Sequence, residues 1–154
     1  MLNKEPEESG PLGPTRFAQL RGALDRRERS HISNQRIAWA LGISAKTVAG
    51  MSAGMGYRRD SALLTLAMAY AAAVGIDEAD GILDVEQEEI DELTERIELP
   101  TSMIGRLLGM SRQNWYRIRT GQQPPRRAVL LALRQLDREY GPGSAHAQRL
   151  EAAT

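Results

Sequence analysis

Four residues between positions 112 and 117 have side chains that can form hydrogen bonds with the edges of DNA bases. They are Arg112, Gln113, Asn114 and Arg117. Arginine suits guanine and glutamine or asparagine suits adenine, and each well-formed pair discriminates against the wrong base by roughly 1–3 kcal/mol. These residue types make the segment a candidate for base contacts. Neighbouring side chains are candidates for contacts with DNA phosphates, namely Ser111, Tyr116, Arg119, Arg126 and Arg127.

These residues belong to the second copy of an internal repeat. An ungapped shift of 67 positions aligns residues 37–54 with residues 104–121. The identical pairs are Ile37/Ile104, Leu41/Leu108, Gly42/Gly109, Ser44/Ser111 and Gly54/Gly121, followed by Arg59/Arg126, Leu63/Leu130, Leu64/Leu131 and Leu66/Leu133. A fixed internal period indicates one structural unit that is used twice.

Each copy has the pattern of two short helices joined by a glycine turn. In the first copy Ile37 and Leu41 share one apolar helical face. Gly42 follows where the chain must turn, a position that often requires a positive φ. Ser44 can then accept a hydrogen bond from a free backbone N–H of the next helix. The pattern predicts a helix-turn-helix, whose second helix enters the DNA major groove.

The two copies are also similar to a known family. Their strings are Ile-Ala-x-x-Leu-Gly-Ile-Ser-x-x-Thr-Val-x-x-Met-x-x-Gly at 37–54 and Ile-x-x-x-Leu-Gly-Met-Ser-Arg-Gln-x-Trp-Tyr-Arg-Ile-Arg-x-Gly at 104–121. Both resemble the Cro and lambda-repressor-like (Xre-type) helix-turn-helix, over roughly residues 34–70 and 101–137. The resemblance implies an all-helical fold and transcriptional regulation, commonly in bacteria or their phages and plasmids. The family's base-contacting positions correspond to Arg112, Gln113 and Asn114, and in the first copy to Ala45, Lys46 and Thr47.

The first copy offers fewer hydrogen-bond donors than the second. Its second helix is expected to carry Lys46 and Thr47 among Ala45, Ala49 and Gly50. We expect the second copy to read the DNA sequence, whereas the first copy either contacts phosphates or serves as a packing surface. The candidate DNA contacts of the first copy are Arg36, Lys46, Thr47, Arg58 and Arg59.

The repeat predicts an all-α fold of two tandem four-helix modules, each containing a lambda-repressor-like helix-turn-helix. The expected parts are a disordered head at 1–14, a first module at 15–76, a second module at 77–140 with an acidic first helix, and a disordered tail at 141–154. The helix expected at 61–74 is apolar on nearly every side, which indicates burial on more than one side. We expect it to pack against the other module or a second subunit, and we favour a homodimer that uses it.

The formal net charge of zero arises because oppositely charged segments cancel. Residues 15–75 contain nine Lys or Arg and three Asp or Glu. Residues 99–140 contain eight Lys or Arg and two Asp or Glu. Residues 76–98 contain one Lys or Arg and eleven Asp or Glu. This acidic segment is either a solvated helix face or a device that repels phosphate and orients the basic modules. The two basic segments coincide with the two copies, as expected of a protein that binds phosphates.

Other classes of function have little support in the sequence. The chain has no cysteine, which excludes disulfides, a thiol nucleophile and cysteine-based zinc sites. It also lacks a Gly-rich phosphate loop, a nucleophile elbow and metal-ligand spacing, so we expect no enzyme, no cofactor and no bound metal. No apolar run approaches the roughly 20 residues of a membrane span. We therefore expect no membrane partner and a cytoplasmic protein.

These observations lead to one principal expectation and one alternative. The principal expectation is a sequence-specific regulator that binds double-stranded DNA, as a repressor or autoregulator, and reads the major groove with the helix starting near Ser111. The alternative is a protein-interaction module, such as an antitoxin or anti-activator, that retains the helix-turn-helix fold and binds a protein partner through its first copy.

Overall fold

The computed structural model describes residues 14–54, 60–81 and 84–144, together with residues 149 and 152. Within these residues the regular secondary structure is helical, without a β-strand, which confirms the predicted all-α fold. The helices are α1 (Pro14–Glu28), α2 (Asn34–Leu41), α3 (Ala45–Ser52), α4 (Ser61–Val74), α5 (Ile76–Asp80), α6 (Gln87–Arg96), α7 (Thr101–Leu107), α8 (Arg112–Arg119) and α9 (Arg127–Tyr140). No helix of the described chain is long and apolar enough to cross a membrane.

The two copies of the repeat share one local backbone geometry. α2 and α3 of the first copy correspond to α7 and α8 of the second. Gly42 and Gly109 adopt left-handed φ values of 73° and 72° at the two turns, a conformation that costs other residues about 1–2 kcal/mol. The hydroxyls of Ser44 and Ser111 each accept a hydrogen bond of 3.1 Å from the backbone N–H three residues later. The glycine turn and the serine cap therefore position α3 and α8 in the same way.

A buried arginine joins α1 to α2 and α3. Arg21 is only 6% exposed, and its Nη1 donates to Asn34 Oδ1 at 2.6 Å and to Ser52 Oγ at 3.1 Å. Its Nη2 donates to the carbonyl oxygen of Ile32, and its Nε lies 3.5 Å from a carboxylate oxygen of Asp25. A buried charge is tolerated only when it is paired and hydrogen-bonded. This network connects the start of α2 and the end of α3 to the first helix.

The centre of the core is formed by α4 and α9, the last helices of the two copies. They make the most extensive helix–helix contact in the described chain, and α1 covers another side of α4. The fully buried side chains there include Leu64, Met68, Leu130 and Leu131. Burial of each such side chain stabilises the folded state by about 1.5–3 kcal/mol. The helix at 61–74 is thus covered by α1 and α9 of the same chain. The predicted packing of this helix against the other module is thus observed, and the homodimer predicted through it has no support here.

The turn of each copy packs against the last helix of the other copy. A Cβ atom added to Gly42 would lie 3.5 Å from the Cβ of Arg127, at the start of α9. A Cβ atom added to Gly109 would lie 3.0 Å from the Cβ of Ala62, near the start of α4. Such reciprocal contacts are typical of an isologous interface between two subunits, although both copies here belong to one chain.

The connection between the copies contains a short helix, α5, that we did not predict from the sequence. Ile76 and Ala79 form its buried face. The backbone N–H of Ile76 donates to Glu28 Oε2 at 2.8 Å, so the start of α5 is attached to the end of α1. The carboxylates of α5 are consequently held beside the first copy.

Parts of the predicted termini lie outside the described residues. This is the case for residues 1–13 of the head and for most of the tail beyond residue 144. Residues 141–144 are described, and they form a turn in which Ser144 is buried and its N–H donates to the Gly141 carbonyl at 3.1 Å. The ordered chain therefore extends past the predicted end of the second module at residue 140.

Candidate nucleic-acid interface

α8 is anchored to the core through one apolar face. Trp115 and Ile118 on that face are buried, and Trp115 Nε1 donates to the Thr101 carbonyl oxygen at 2.9 Å. The indole lies directly against α7 at Gly105, where an added Cβ would be 2.6 Å from Trp115 Cδ1. Glycine at position 105 therefore allows α7 and α8 to approach this closely.

The C-terminal end of α8 is held by a residue that the sequence analysis did not identify. Gln87, at the start of α6, donates from Nε2 to the carbonyl oxygens of Ile118 at 3.1 Å and Arg119 at 3.2 Å. The last carbonyls of a helix have no partner within the helix, so a side-chain donor stabilises them. The acidic helix α6 thus supports α8 through its one amide side chain at this end.

The outer face of α8 carries the predicted base-contacting side chains. Arg112, Gln113 and Arg117 are exposed, and Asn114 is half-buried. The hydrogen bonds and ion pairs of the described residues do not involve the side chains of Arg112, Gln113 or Arg117. Their donors are therefore available to a ligand, on a helix that is fixed at both ends.

A groove of about 540 Å³ lies between α8 and the starts of α4 and α9. Predicted site residues that line it are Ser111, Gln113, Asn114, Arg117 and Arg126. Two further polar residues line it that we did not predict, Asp60 and Gln123. Asp60 lies 3.6 Å from Arg126 as an ion pair, and Gln123 is in the loop that follows α8. Neither residue is distinguished in the sequence by its spacing.

The candidate phosphate contacts of the second copy have different surroundings. Ser111 caps α8, and Tyr116 is 48% exposed with the Arg119 guanidinium 5.6 Å from its ring centre. Arg127, in contrast, stacks on the Trp39 ring at 4.2 Å and donates from Nη1 to the Trp39 carbonyl oxygen at 2.5 Å. Arg127 therefore joins α9 to α2 at the protein surface, and its guanidinium is already engaged there, which argues against the predicted phosphate contact.

In the first copy the arginine of α2 is already paired with carboxylates. Arg36 Nε donates to Asp80 Oδ2 at 2.9 Å, and its Nη2 donates to Asp77 Oδ1. The hydrogen bond with Asp80, followed by that with Asp77, raises the pKa of Arg36 above its ordinary value. The positive charge that we predicted for phosphate contact is thus neutralised by α5.

The exposed face of α3 is small and poor in donors. Ala49 and Ala53 are exposed, and a Cβ atom added to Gly50 would meet no atom within 4 Å. Of the predicted contacts, Lys46 is exposed, whereas Thr47 Oγ1 lies 2.9 Å from Ser44 Oγ within the cap of α3. Arg58 and Arg59 lie outside the described residues.

The acidic helix α6 is attached to α9 by a partly buried ion pair. Arg134 donates to Glu89 Oε2 from Nε at 2.9 Å and from Nη2 at 2.6 Å, and its guanidinium lies 5.9 Å from the Tyr70 ring centre. Burial lowers the pKa of Arg134, but the hydrogen bond and charge of Glu89, with a smaller effect of Tyr70, leave it raised. Part of the acidic segment therefore holds helices of the protein together, as Asp77 and Asp80 do.

The exposed arginine and amide side chains of α8 have the chemistry to contact a polyanion. The described residues contain no group of three His, Asp or Glu side chains placed to hold a metal ion. Comparison with known protein families, with curated proteins and with solved structures finds no match to this chain. The family resemblance therefore depends on the two strings at 37–54 and 104–121 alone.

Proposed function

We propose that this protein is a sequence-specific regulator that binds double-stranded DNA, acting in the cytoplasm of a bacterium as a repressor or autoregulator. α8 would enter the major groove as the second helix of a helix-turn-helix. The observation that carries the proposal is the outer face of α8. There Arg112, Gln113 and Arg117 are exposed, and their side chains make no hydrogen bond or ion pair in the described chain.

The rigidity of α8 supports base recognition rather than phosphate binding alone. Base pairs are discriminated by bidentate hydrogen bonds, which require that the donors are held in position. The Ser111 cap, the buried Trp115 and the Gln87 side chain restrain the start, the middle and the end of α8. Binding to phosphates without sequence preference would not require such restraint, because it arises from charge.

The proposal is tested by selection of the purified protein on random double-stranded DNA at physiological salt. We expect one enriched motif, and a loss of affinity for it in Arg112→Ala and Gln113→Ala. Arg26→Ala is the matched control, because Arg26 is an exposed cation on α1. If both α8 variants bind the enriched duplex as tightly as the parent chain, α8 is not the recognition helix.

A second candidate is supported by the small, donor-poor face of α3. An interaction module that binds a protein partner would use such a face together with Trp39, which is 56% exposed on α2. The same selection separates the candidates. A folded chain that enriches no DNA motif, and whose weak DNA binding disappears as salt is raised, would favour the interaction module.

A further inference from the structure

We infer that the chain binds its DNA target as a single chain at a non-palindromic site, with α8 as its base-contacting helix and no base contact from α3. This inference rests on the proposed function and specifies the class of DNA site. It departs from the arrangement in which a symmetric dimer reads two half-sites, and three observations carry it.

The first observation is that the two copies are already paired within one chain. α4 and α9 bury each other, and the turns at Gly42 and Gly109 pack reciprocally on the starts of α9 and α4. The exposed large apolar side chains of the described residues are Trp39, Met103 and Tyr116, and none of them is on α4 or α9. The surface that two chains would use to pair in the same way is thus occupied.

The second observation is the contrast between equivalent positions of α3 and α8. Arg112, Tyr116 and Arg117 of α8 correspond to alanine, alanine and glycine of α3, at positions 45, 49 and 50. Arg119 corresponds to Ser52, whose hydroxyl accepts a hydrogen bond from Arg21. Lys46, which corresponds to Gln113, is the exposed side-chain donor left on α3, whereas α8 carries Arg112, Gln113 and Arg117. Residues that can distinguish one base pair from another are therefore concentrated in one of the two copies.

The third observation is that α5 neutralises Arg36, a cation of the first copy. Arg36 is paired with Asp77 and Asp80, and both carboxylates come from the segment that joins the copies. DNA affinity depends on cations that replace counterions at the phosphates. Arg36 is already paired and contributes little of this affinity, as does Arg126 beside Asp60. The side chains of Arg112 and Arg117 make no ion pair in the described chain, so the duplex is drawn toward α8.

These observations define the expected DNA motif. A symmetric pair of recognition helices reads two half-sites that are about 10 base pairs apart. In this protein the two copies are paired through α4 and α9, but α3 lacks the set of base-contacting side chains that α8 carries. The expected motif is one asymmetric block without a repeat at that spacing.

The inference is tested by selection on random duplex DNA with the full chain, followed by native mass spectrometry of the protein on the enriched duplex. We expect one asymmetric motif and one chain per duplex. A palindromic motif, two blocks about 10 base pairs apart, or two chains per duplex would overturn the inference and leave the proposed function intact. Failure to enrich any motif would overturn both.

A matched pair of variants tests the contribution of each helix. Ala49→Asp and Tyr116→Asp add a negative charge at equivalent, exposed positions of α3 and α8. We expect Tyr116→Asp to weaken binding to the enriched duplex by about tenfold or more, because the charge faces the phosphates. Ala49→Asp is expected to change the affinity by less than about twofold. A tenfold loss with Ala49→Asp, in a chain whose circular dichroism spectrum is unchanged, would show that α3 also lies at the DNA.

Discussion

α3 and α8 have the same backbone geometry and opposite surfaces. Each is eight residues long, follows a left-handed glycine turn and begins at a serine that caps it. Outward-facing positions carry arginine, glutamine and tyrosine in α8 but mainly alanine and glycine in α3. The glycine turn and the serine cap, which the fold requires, are shared by the copies, whereas the outward-facing residues differ. The outer face of each helix can thus vary without a change in its backbone.

The inward faces differ as well, and the difference is compensated locally. Trp115 of α8 is opposite Gly105, whereas the equivalent residues of the first copy are Val48 and Ala38. A large side chain is thus paired with the smallest one, and a medium side chain with a small one. Each copy thus has its larger residue in the second helix and its smaller one in the first, as close packing favours.

The largest effect on DNA binding is expected from a variant that removes the contrast between the outer faces of α3 and α8. The triple variant Arg112→Ala, Gln113→Ala and Arg117→Ala gives α8 a face similar to that of α3. Each lost side-chain contact with a base lowers the discrimination between base pairs by about 1–3 kcal/mol. We therefore expect the affinity for the enriched duplex to fall to that for random DNA. Fluorescence anisotropy with the enriched duplex measures this, and thermal unfolding serves as the control for folding. Retained sequence preference would show that the face of α8 is not the source of specificity.

A smaller effect is expected from the inward faces. Gly105→Ala places a Cβ 2.6 Å from Trp115 Cδ1, and such overpacking lowers the free energy of unfolding by about 1–3 kcal/mol. In a Trp115→Val background, which copies the pairing of Ala38 with Val48, the same substitution should cost less. Urea denaturation of the four proteins gives the coupling. Equal costs in both backgrounds would mean that Trp115 is not the reason for glycine at position 105.

A still smaller effect is expected at the junction of the two copies. Trp39→Ala removes the ring on which Arg127 stacks, and an exposed cation–π contact contributes about 0.5–1 kcal/mol. Arg127→Ala should cost more, because it also removes the hydrogen bond to the Trp39 carbonyl oxygen, and the double variant should cost less than the sum. Thermal unfolding of the cycle measures the coupling free energy. If the losses of stability in the two single variants simply add in the double variant, the contact between Trp39 and Arg127 does not help to hold the copies together.

The smallest expected effect concerns charge in the first copy. Asp77→Asn with Asp80→Asn releases Arg36 from its two carboxylates. We expect stronger binding to random DNA, with a salt dependence steeper by about one counterion. Glu88→Gln with Glu92→Gln changes the net charge equally without releasing Arg36, and should leave the slope unchanged. If both pairs of substitutions act alike, the effect is one of overall charge and Arg36 has no special role.

Local features of this fold were accessible from the sequence because they depend on neighbouring residues. The turn at Gly42 and the cap at Ser44 follow from the conformational freedom of glycine and from a hydroxyl placed beside free N–H groups. The repeat then doubled the evidence for the same pattern at Gly109 and Ser111. The exposure of Arg112 and Gln113 followed from the apolar face on the other side of α8.

Contacts between distant residues were not accessible in this way. The sequence predicts a phosphate contact for Arg127 because it lies near α8 in the chain, but its partner, Trp39, is 88 positions away. Arg36 was assigned similarly, and its partners are on α5, a helix too short to be recognised from periodicity. Gln87 contacts the end of α8 through an amide that no sequence pattern distinguishes. Sequence patterns indicate which charges are present, whereas packing decides which of them are already paired.

The packing of α4 against α9 has a consequence for how the chain folds. Neither helix can bury its apolar face until the other has been formed, and the two are separated by more than fifty residues of chain. Closing so long a loop delays the contact and slows folding. We therefore expect the repeat to unfold in one cooperative transition and not as two independent units. Because each copy covers the apolar face of the other, we expect that neither copy folds alone.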